Sequence, residues 1–578
     1  MSDLRFLAES LGPHRRHFAL AAVCVFLETT LELAIPLLMA SALDDGLAAG
    51  DARVVVERGL EMLACALAAL LLGMGYARMS AVAAMGLGAN LRREEFERVQ
   101  SLSFSNLDDF DAASLVTRMT TDVTVIQNAL VMGFRPMLRG PSMLVMGLVL
   151  ATVMNARLAV VFFVVLPVLA VVLFAIVRHV VPLYSVLQGV MDRLNDALQE
   201  DLRAIRAVKA YVREDWTQER FDEVNRDYAE CATRTFGGAV LNTPIFQLSM
   251  YVACVALLWV GGGMILDGEL EVGTLTGFMS YVLQIMNSLM MISSVFLLLA
   301  RALTSIRRVR EVLDARPAIC SPADPVRELA DGSVEFRDVG FTYPRASAPA
   351  LAGVSFRVAP GGTLGVIGGT GSGKSTLAAL VARTYDASSG EVRLGGADVR
   401  SYTLASLHSA VGLVEQRVRL FSGTIGSNLA WGSRSAGDDV LAEALATAQA
   451  ADVVEAHGQG LAAAVEERGA NFSGGQRQRL SIARALALRP RVLVLDDSSS
   501  ALDFATEARL RHALADALPG TTKIVISQRV SAVRHADSIV VLDAGRQVGC
   551  GTHEELLGSC EEYRQICLSQ LPPEEVVA

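Results

Sequence analysis

Charge is scarce in this chain: Asp, Glu, Lys and Arg together make up 19% of 578 residues, against 52% apolar. So low a charge content excludes an ordinary soluble protein, and the length excludes a single core. Charge of one sign does not accumulate either. Lys and Arg number 51 and Asp and Glu 61, a net charge of −10, so no nucleic-acid partner is expected. The eight cysteines (24, 65, 231, 254, 320, 550, 560 and 567) never form C-x-x-C. That spacing argues against zinc and against a disulfide framework, and for reducing surroundings around the second half. An apolar signal-peptide core directly after Met1 is also missing, since Arg5, His14, Arg15, Arg16 and His17 precede the first long apolar run; no cleaved signal peptide is expected.

The apolar residues concentrate before residue 305, and the rest of the chain reads as a soluble α/β domain. Six runs, near 17–42, 59–82, 138–156, 158–178, 240–267 and 273–300, are long enough to cross a bilayer. Positive charge orients them. Arg92, Arg93, Arg98 and Arg118 follow the second run, and Arg203, Arg206, Lys209, Arg213 and Arg220 follow the fourth; by the positive-inside rule both segments are cytoplasmic. The opposite loops are acidic, with Asp44, Asp45 and Asp51 after the first run and Asp267, Glu269 and Glu271 after the fifth. Both termini are therefore expected in the cytoplasm, at an inner or plasma membrane, with Asn155-Ala156-Arg157 as a tight external turn. The two cytoplasmic excursions read as helical extensions of the spans, with tips at Phe110–Leu115 and Asp215–Phe221.

Glu28 and Glu32 interrupt the first run and share one helix face. A carboxylate inside a span is costly and faces the bundle interior or a wet cavity. The pair reads either as a polar patch of a transport path favouring cationic substrates, or as a structural hydrogen bond to a neighbouring helix near Pro36. Met279, Met286 and Met290 share a face of the sixth run beside Gln284 and Asn287, which reads as helix packing or as an adaptable ligand surface. Neither pattern names a cargo.

Past residue 333, Val334–Phe341 alternates as a strand. Gly368-Gly369-Thr370-Gly371-Ser372-Gly373-Lys374-Ser375 then matches the P-loop pattern G-x-x-x-x-G-K-[ST], between a strand, Thr363–Ile367, and a helix, Ser375–Arg383. Its glycines let backbone N–H groups face phosphates, and the helix N-terminus adds positive potential. The pattern assigns Lys374 to the β- and γ-phosphates and Ser375 to Mg²⁺, with Thr376 a further phosphate donor; ATP and Mg²⁺ are the expected ligands. About a hundred residues later come Phe472-Ser473-Gly474-Gly475-Gln476 and Val492-Leu493-Val494-Leu495-Asp496.

These three motifs in this order resemble the ATP-binding cassette (ABC) family, and with six apolar runs ahead of them nearly the whole chain resembles an ABC exporter half-transporter. The resemblance implies an α-helical membrane domain of six transmembrane helices with long cytoplasmic extensions. A P-loop α/β ATPase domain with a helical subdomain would follow it. The implied boundaries are 1–305 for the membrane domain, 306–333 for a linker, 334–570 for the nucleotide-binding domain and 571–578 for a tail. Residue by residue, it implies that Tyr343 stacks on adenine, that Gln416 touches Mg²⁺ and moves with the coupling tip, and that Asp496 holds Mg²⁺. Ser473, Gly474, Gly475 and Gln476 would contact the γ-phosphate on a partner's P-loop. Glu466-Glu467-Arg468-Gly469 would face a partner loop, and Asp503, in the D-loop Ser500–Asp503, would cross to the partner site. One chain cannot complete a site, so a second ABC half-transporter in the same bilayer is implied.

Two positions depart from that pattern. The family carries Glu after the Walker B aspartate and His in the switch loop, where this chain has Asp497 and Gln528. Asp is one methylene shorter, drawing the carboxylate back by about 1 Å, enough to cost roughly a hundredfold in rate. Gln can hydrogen-bond the γ-phosphate but carries no charge and relays no proton. The expected site binds Mg-ATP and hydrolyses it slowly, resembling the degenerate subunit of heterodimeric exporters. A slow homodimer, with Asp497 as a weaker base, is the other reading. The expected activity is ATP-driven export of amphipathic small molecules, lipids or peptides. Import of metal-chelator complexes and an ATP-binding regulator without transport remain alternatives.

Overall fold

The computed structural model describes residues 3–433 and 436–572; residues 573–578 of the expected tail lie outside the described residues. The chain divides into two compact units, Met1–Arg98 with Ala113–Asp314 and Val99–Ala112 with Ala315–Ala578.

The first unit is helical. Among the described residues, six helices are long and apolar enough to cross a membrane: Gly12–Leu47, Ala52–Ser101, Ala112–Met154, Ala156–Arg203, Glu214–Leu266 and Val272–Ile292. Several outrun a bilayer. The 50 residues of Ala52–Ser101 correspond to about 75 Å at 1.5 Å per residue, more than twice the apolar thickness of about 30 Å. Both excursion tips fall earlier in sequence than expected. The first is the short helix Phe104–Leu107, N-capped by Ser103, whereas Ala112–Thr117 already belongs to the next long helix. The second is Ile205–Ala210, and Glu214 and Asp215 open the returning helix Glu214–Val240. Acids in a first turn are stabilised by the helix dipole, which is why they mark a start here and not a tip.

Polar loop residues set the helix ends. The side chain of Asn155 accepts from the Leu158 amide at 3.1 Å and caps Ala156–Arg203. The carboxylate of Asp44 accepts from the amides of Gly273 (2.5 Å) and Thr274 (2.8 Å), capping the sixth span. A Cβ at Gly273 would lie 2.4 Å from the Ala40 carbonyl oxygen, so only glycine allows that approach. In the core, the buried Tyr281 hydroxyl donates to the Leu33 carbonyl at 2.8 Å. Met286 is buried, Met279 half-buried and Met290 exposed; the methionines pack into the bundle to different depths.

The two acids of the first span meet two arginines the sequence reading had not matched to them. Glu28 pairs with Arg135 and Glu32 with Arg139, both on the helix Phe134–Met154. Partners four residues apart on each helix form two rungs of a ladder. Glu28 is buried, and Arg135 also lies over the Tyr76 ring, 5.7 Å from its centroid. Both carboxylates thus have cationic partners within the bundle.

Beyond the apolar run 59–82, the same unit buries a second charged cluster. Ser305 donates to Asp122 at 2.8 Å, and Arg118 pairs with Glu311 at 2.8 Å. Glu95 is fully buried, and neither carboxylate oxygen has a hydrogen-bond partner. Burial, reinforced by Asp122 and opposed by Arg118 and Arg92, raises its pKa to about 7. A carboxyl group whose pKa is raised by folding favours the fold while protonated. That contribution is complete below the unfolded value near 4.5 and is lost as pH rises through 7. We expect Glu95→Gln to be more stable than the parent at pH 8 by up to about 3 kcal/mol, with the difference gone at pH 4.5. Thermal unfolding across this range checks it, and an unchanged difference between the two ends would refute it.

The second unit contains strands β1 (Val334–Phe341), β2 (Leu351–Val358), β3 (Thr363–Gly368), β4 (Ser389–Leu394), β5 (Ala397–Asp398), β6 (Val411–Val414), β7 (Gly423–Thr424), β8 (Ala464–Val465), β9 (Val492–Asp496), β10 (Thr522–Ile526), β11 (Ser538–Asp543) and β12 (Arg546–Gly551). Ten form one sheet in the order β5-β4-β1-β2-β12-β11-β3-β10-β9-β6. Strands β11, β3, β10, β9 and β6 run parallel. They read as continuous apolar runs because helices cover both faces. A helical subdomain with its own core contains Ile425–Leu429, Asp438–Thr447, Ala451–Ala456 and Gly474–Leu486, joined by the β7–β8 pair. The order β3-β10-β9-β6 matters most. It sets the segments after four neighbouring carboxyl ends side by side, where ligands bind in sheets of this kind.

Candidate nucleotide site

Gly368 ends β3 and Lys374 opens the helix Lys374–Val381. The turn between them requires glycine at Gly373, where φ is +96° and a Cβ would sit 2.6 Å from the Ala350 carbonyl oxygen. Lys374 is buried and its ammonium donates to the carbonyls of Gly368 (2.9 Å) and Gly369 (2.6 Å). Burial lowers its pKa while Asp496 and Asp497 oppose that shift. The result is a cation held by the loop that surrounds it, with backbone N–H groups at a helix start beside it. This is an anion cradle of the kind phosphates occupy. Tyr343 packs next to it, its hydroxyl 3.1 Å from that of Thr376.

On the neighbouring strands, Asp496 ends β9, buried, and Ser375 hydrogen-bonds its carboxyl. Burial raises its pKa, with Asp497 adding to the shift and the Ser375 hydroxyl and Lys374 opposing it. Among the described residues no cluster of three or more His, Cys, Asp or Glu could hold a metal. The donor set present, the Asp496 carboxylate with the Ser375 hydroxyl, is of the kind that fits Mg²⁺, usually held by one or two carboxylates plus phosphate oxygens. The next residue, Asp497, takes a left-handed backbone (φ 46°). Its amide donates to the Ile526 carbonyl at 2.8 Å, and its carboxylate accepts from the Gln416 amide at 3.3 Å. Gln528 follows β10, its side chain exposed and its carbonyl accepting from Gln570 at 2.8 Å. P-loop, Asp496, Asp497, Gln416 and Gln528 thus fall on four adjacent strand ends.

Ser473 and Gln476 are placed differently. They close a capping box on Gly474–Leu486, with the Gln476 side chain accepting from the Ser473 amide at 2.8 Å. Asp503 caps the helix Phe504–Ala517 by accepting from the Thr506 amide at 2.8 Å, which holds its pKa below the ordinary range. The sequence reading missed Arg529. Its guanidinium donates to the carbonyls of Ser499 (3.5 Å), Leu502 (3.4 Å) and Ser500 (3.1 Å), tying the D-loop to the switch strand. Only its place directly after Gln528 could have suggested it.

Comparison with known proteins places this geometry. Residues 18–289 match the model of the ABC transporter transmembrane region, and 351–500 that of the ABC transporter. An uncharacterized ABC transporter ATP-binding protein of Mycobacterium tuberculosis is 36% identical over 572 residues, 98% of each chain. The chain belongs to the ABC transporter family. A second relative, an uncharacterized ABC transporter ATP-binding protein of Bacillus subtilis, is 34% identical over 97% of each chain. A multidrug efflux ATP-binding/permease protein of M. tuberculosis is 32% identical over 97% of this chain and 46% of its own length. Among solved structures, a bacterial Atm1-family ABC exporter with ATP bound superposes with a TM-score of 0.80 at 25% identity, over 96% of this chain and 98% of the other. The transporter is of the exporter type, binds ATP and couples its hydrolysis to transport across a membrane.

In this transporter the first excursion tip joins the ATPase unit. Tyr385 donates its hydroxyl to Asp108 at 2.6 Å, and Arg345 pairs with Asp109 at 2.9 Å. Burial and the Asp108 carboxylate push the Tyr385 pKa up, so the hydroxyl remains a donor throughout the physiological range. Tyr385→Phe is expected to loosen the tip by about 1 to 2 kcal/mol. Amide exchange in Val99–Ala112 should speed up accordingly while ATP binding stays unchanged; unaltered exchange would remove Tyr385 from this role.

Proposed function

We propose that this transporter is the degenerate-site half of an asymmetric exporter, pairing with a second half-transporter that supplies Glu and His where this chain has Asp497 and Gln528. The observation that carries the reading is a phosphate cradle with every part present beside two altered hydrolytic positions. Asp497 is a shortened base, and its carboxylate is engaged by Gln416 at 3.3 Å. Gln528 can hydrogen-bond but cannot take up and release a proton as histidine does. Ser473, Gly474, Gly475 and Gln476 would complete the partner's site, and Asp503 would reach across to it. At this chain's own site Lys374, Thr376 and the glycine amides hold the phosphates, Tyr343 the adenine, and Ser375, Gln416 and Asp496 hold Mg²⁺. Mg²⁺ would supply charge neutralisation on the phosphate oxygens. ATP bound here then acts chiefly as a clamp between subunits, while turnover runs at the partner's site. The M. tuberculosis efflux protein, of which this chain matches 46%, has room for two such halves in one polypeptide.

The positive-inside pattern puts the ATPase unit and both termini in the cytoplasm, with residues 1–305 as the membrane domain and 334–570 as the nucleotide-binding domain. The exported class is amphipathic: small molecules, lipids or peptides. Purification of the tagged chain from native membranes, followed by mass spectrometry, tests the pairing. A stoichiometric second half-transporter with Glu and His at the matching positions is the expected result. Recovery of this chain alone would leave a slow homodimer and end the asymmetric reading.

A further inference from the structure

Past the end of β10 the sheet holds the main chain once more, where the Ser527 amide donates to the Val366 carbonyl at 3.0 Å. In the switch segment that follows, residues 528–530, side chains take over. The Arg529 amide donates to the Ser527 hydroxyl at 3.0 Å. The groups on either side of Arg529 go to a single residue, Gln570. Its side-chain N–H donates to the Gln528 carbonyl at 2.8 Å, and its side-chain oxygen accepts from the Val530 amide at 2.9 Å. Donor and acceptor of one amide are both used, which the carboxylate of Glu or the side chain of Leu cannot reproduce.

Gln570 ends the helix Glu561–Gln570, and that helix is anchored. Tyr563 and Cys567 are buried in a core shared with Val530 and Val533 of the switch, and the Tyr563 hydroxyl lies 2.7 Å from the His553 ring. Gln570 itself is exposed, so apolar packing does not account for where its amide sits. Between the two main-chain groups it holds, the Arg529 guanidinium grips the D-loop carbonyls of Ser499, Ser500 and Leu502. One side chain of the C-terminal helix thus fixes the exit from β10 and the root of the D-loop grip together.

We infer, on the reading above that residue 528 faces the γ-phosphate, that Gln570 is a positioning residue for ATP turnover at this chain's own P-loop. It acts through the main chain on either side of Arg529 and so sets the place from which the side chain at 528 works. Lys374, Ser375, Asp496 and Tyr343 stand on other segments, so ATP binding does not pass through Gln570. Turnover does. With the Gln528 carbonyl and the Val530 amide released together, residue 528 is free to shift, and a misplacement of about 1 Å costs up to roughly a hundredfold in rate. The cost to the fold is smaller, because Gln528 is exposed and water replaces the bond to its carbonyl.

Phosphate release by the purified full chain in lipid nanodiscs tests this, with Lys374→Met as the blank. Gln570→Leu removes both contacts at similar volume. Gln570→Glu keeps the acceptor for Val530 but sets a carboxylate oxygen against the Gln528 carbonyl. Each is expected to lower kcat about tenfold while KM for MgATP and the Kd of ATP stay within about twofold of the parent. Amide exchange over residues 527–533 should quicken at least about threefold in Gln570→Leu. The same fall in kcat is expected when Gln570 is changed in the Asp497→Glu, Gln528→His double variant. A double variant no faster than the parent would count against the asymmetric reading, whereas a tenfold fall on changing Gln570 in the parent would still establish the positioning role. If one replacement fails to fold, the other decides. A kcat within twofold of the parent, a KM that rises as kcat falls, unchanged exchange, or no turnover above the blank in either background would overturn it.

Discussion

Asp497→Glu combined with Gln528→His is expected to raise ATP hydrolysis at this chain's own P-loop by about ten- to a hundredfold. The geometry sets that expectation. The Asp497 main chain is pinned by its bond to the Ile526 carbonyl and its side chain by Gln416, so the carboxylate cannot advance by shifting the backbone. A glutamate extends it by about 1 Å without disturbing either strand. The exposed position of Gln528 after β10 can accept histidine without repacking, restoring a group that titrates near neutral pH. Because both residues act on one water and one phosphate, the single replacements should each recover less than their share of the double. Phosphate release from the purified transporter, with Lys374→Met as the blank, measures the effect. A double variant no faster than the parent would mean that these two positions do not set the rate at this site.

Glu28→Ala is expected to cost about 2 to 3 kcal/mol, because it empties a buried position and leaves the partly exposed Arg135 without its ion-pair partner. Glu28 is 3% exposed, whereas the Arg135 side chain left behind is 36% exposed, so its surroundings offset part of the lost pairing. Removing both charges together, as Glu28→Leu with Arg135→Met, should recover most of the loss, since a matched apolar pair avoids the desolvation that the ions incur. The second rung behaves differently. The Glu32 side chain is 25% exposed, and Glu32→Ala should cost about 1 to 2 kcal/mol. Heat-inactivation half-lives of the four proteins in nanodiscs give the order. Equal losses for Glu28→Ala and Glu32→Ala, or no recovery in the double replacement, would show that the ladder is not what holds these helices together.

Much of the site was legible in the sequence because each motif is local. A P-loop needs eight consecutive residues, and its glycines are demanded by backbone geometry, as at Gly373. The Ser473 capping box likewise spans four residues. The excursion tips were misplaced because polar, charged helices carry no apolar period to count. Their ends are set instead by Ser103 at one tip and by the turn before Glu214 at the other. Arg529 was illegible for a different reason: its work is done on main-chain carbonyls of another loop, which no side-chain pattern records.

The sequence by itself determined that six segments enter a bilayer and that one stretch cradles phosphates. Solvation in lipid and phosphate binding by backbone amides are properties of contiguous chain. Only the tertiary structure decided which polar and charged groups pair. Glu28 finds Arg135, and Asp108 and Asp109 find Tyr385 and Arg345. The sheet order puts Gln416 against Asp497. Such pairings depend on which faces pack, and packing removes water unequally: Glu28 is 3% exposed, whereas the Arg345 and Asp109 side chains remain 70% and 51% exposed.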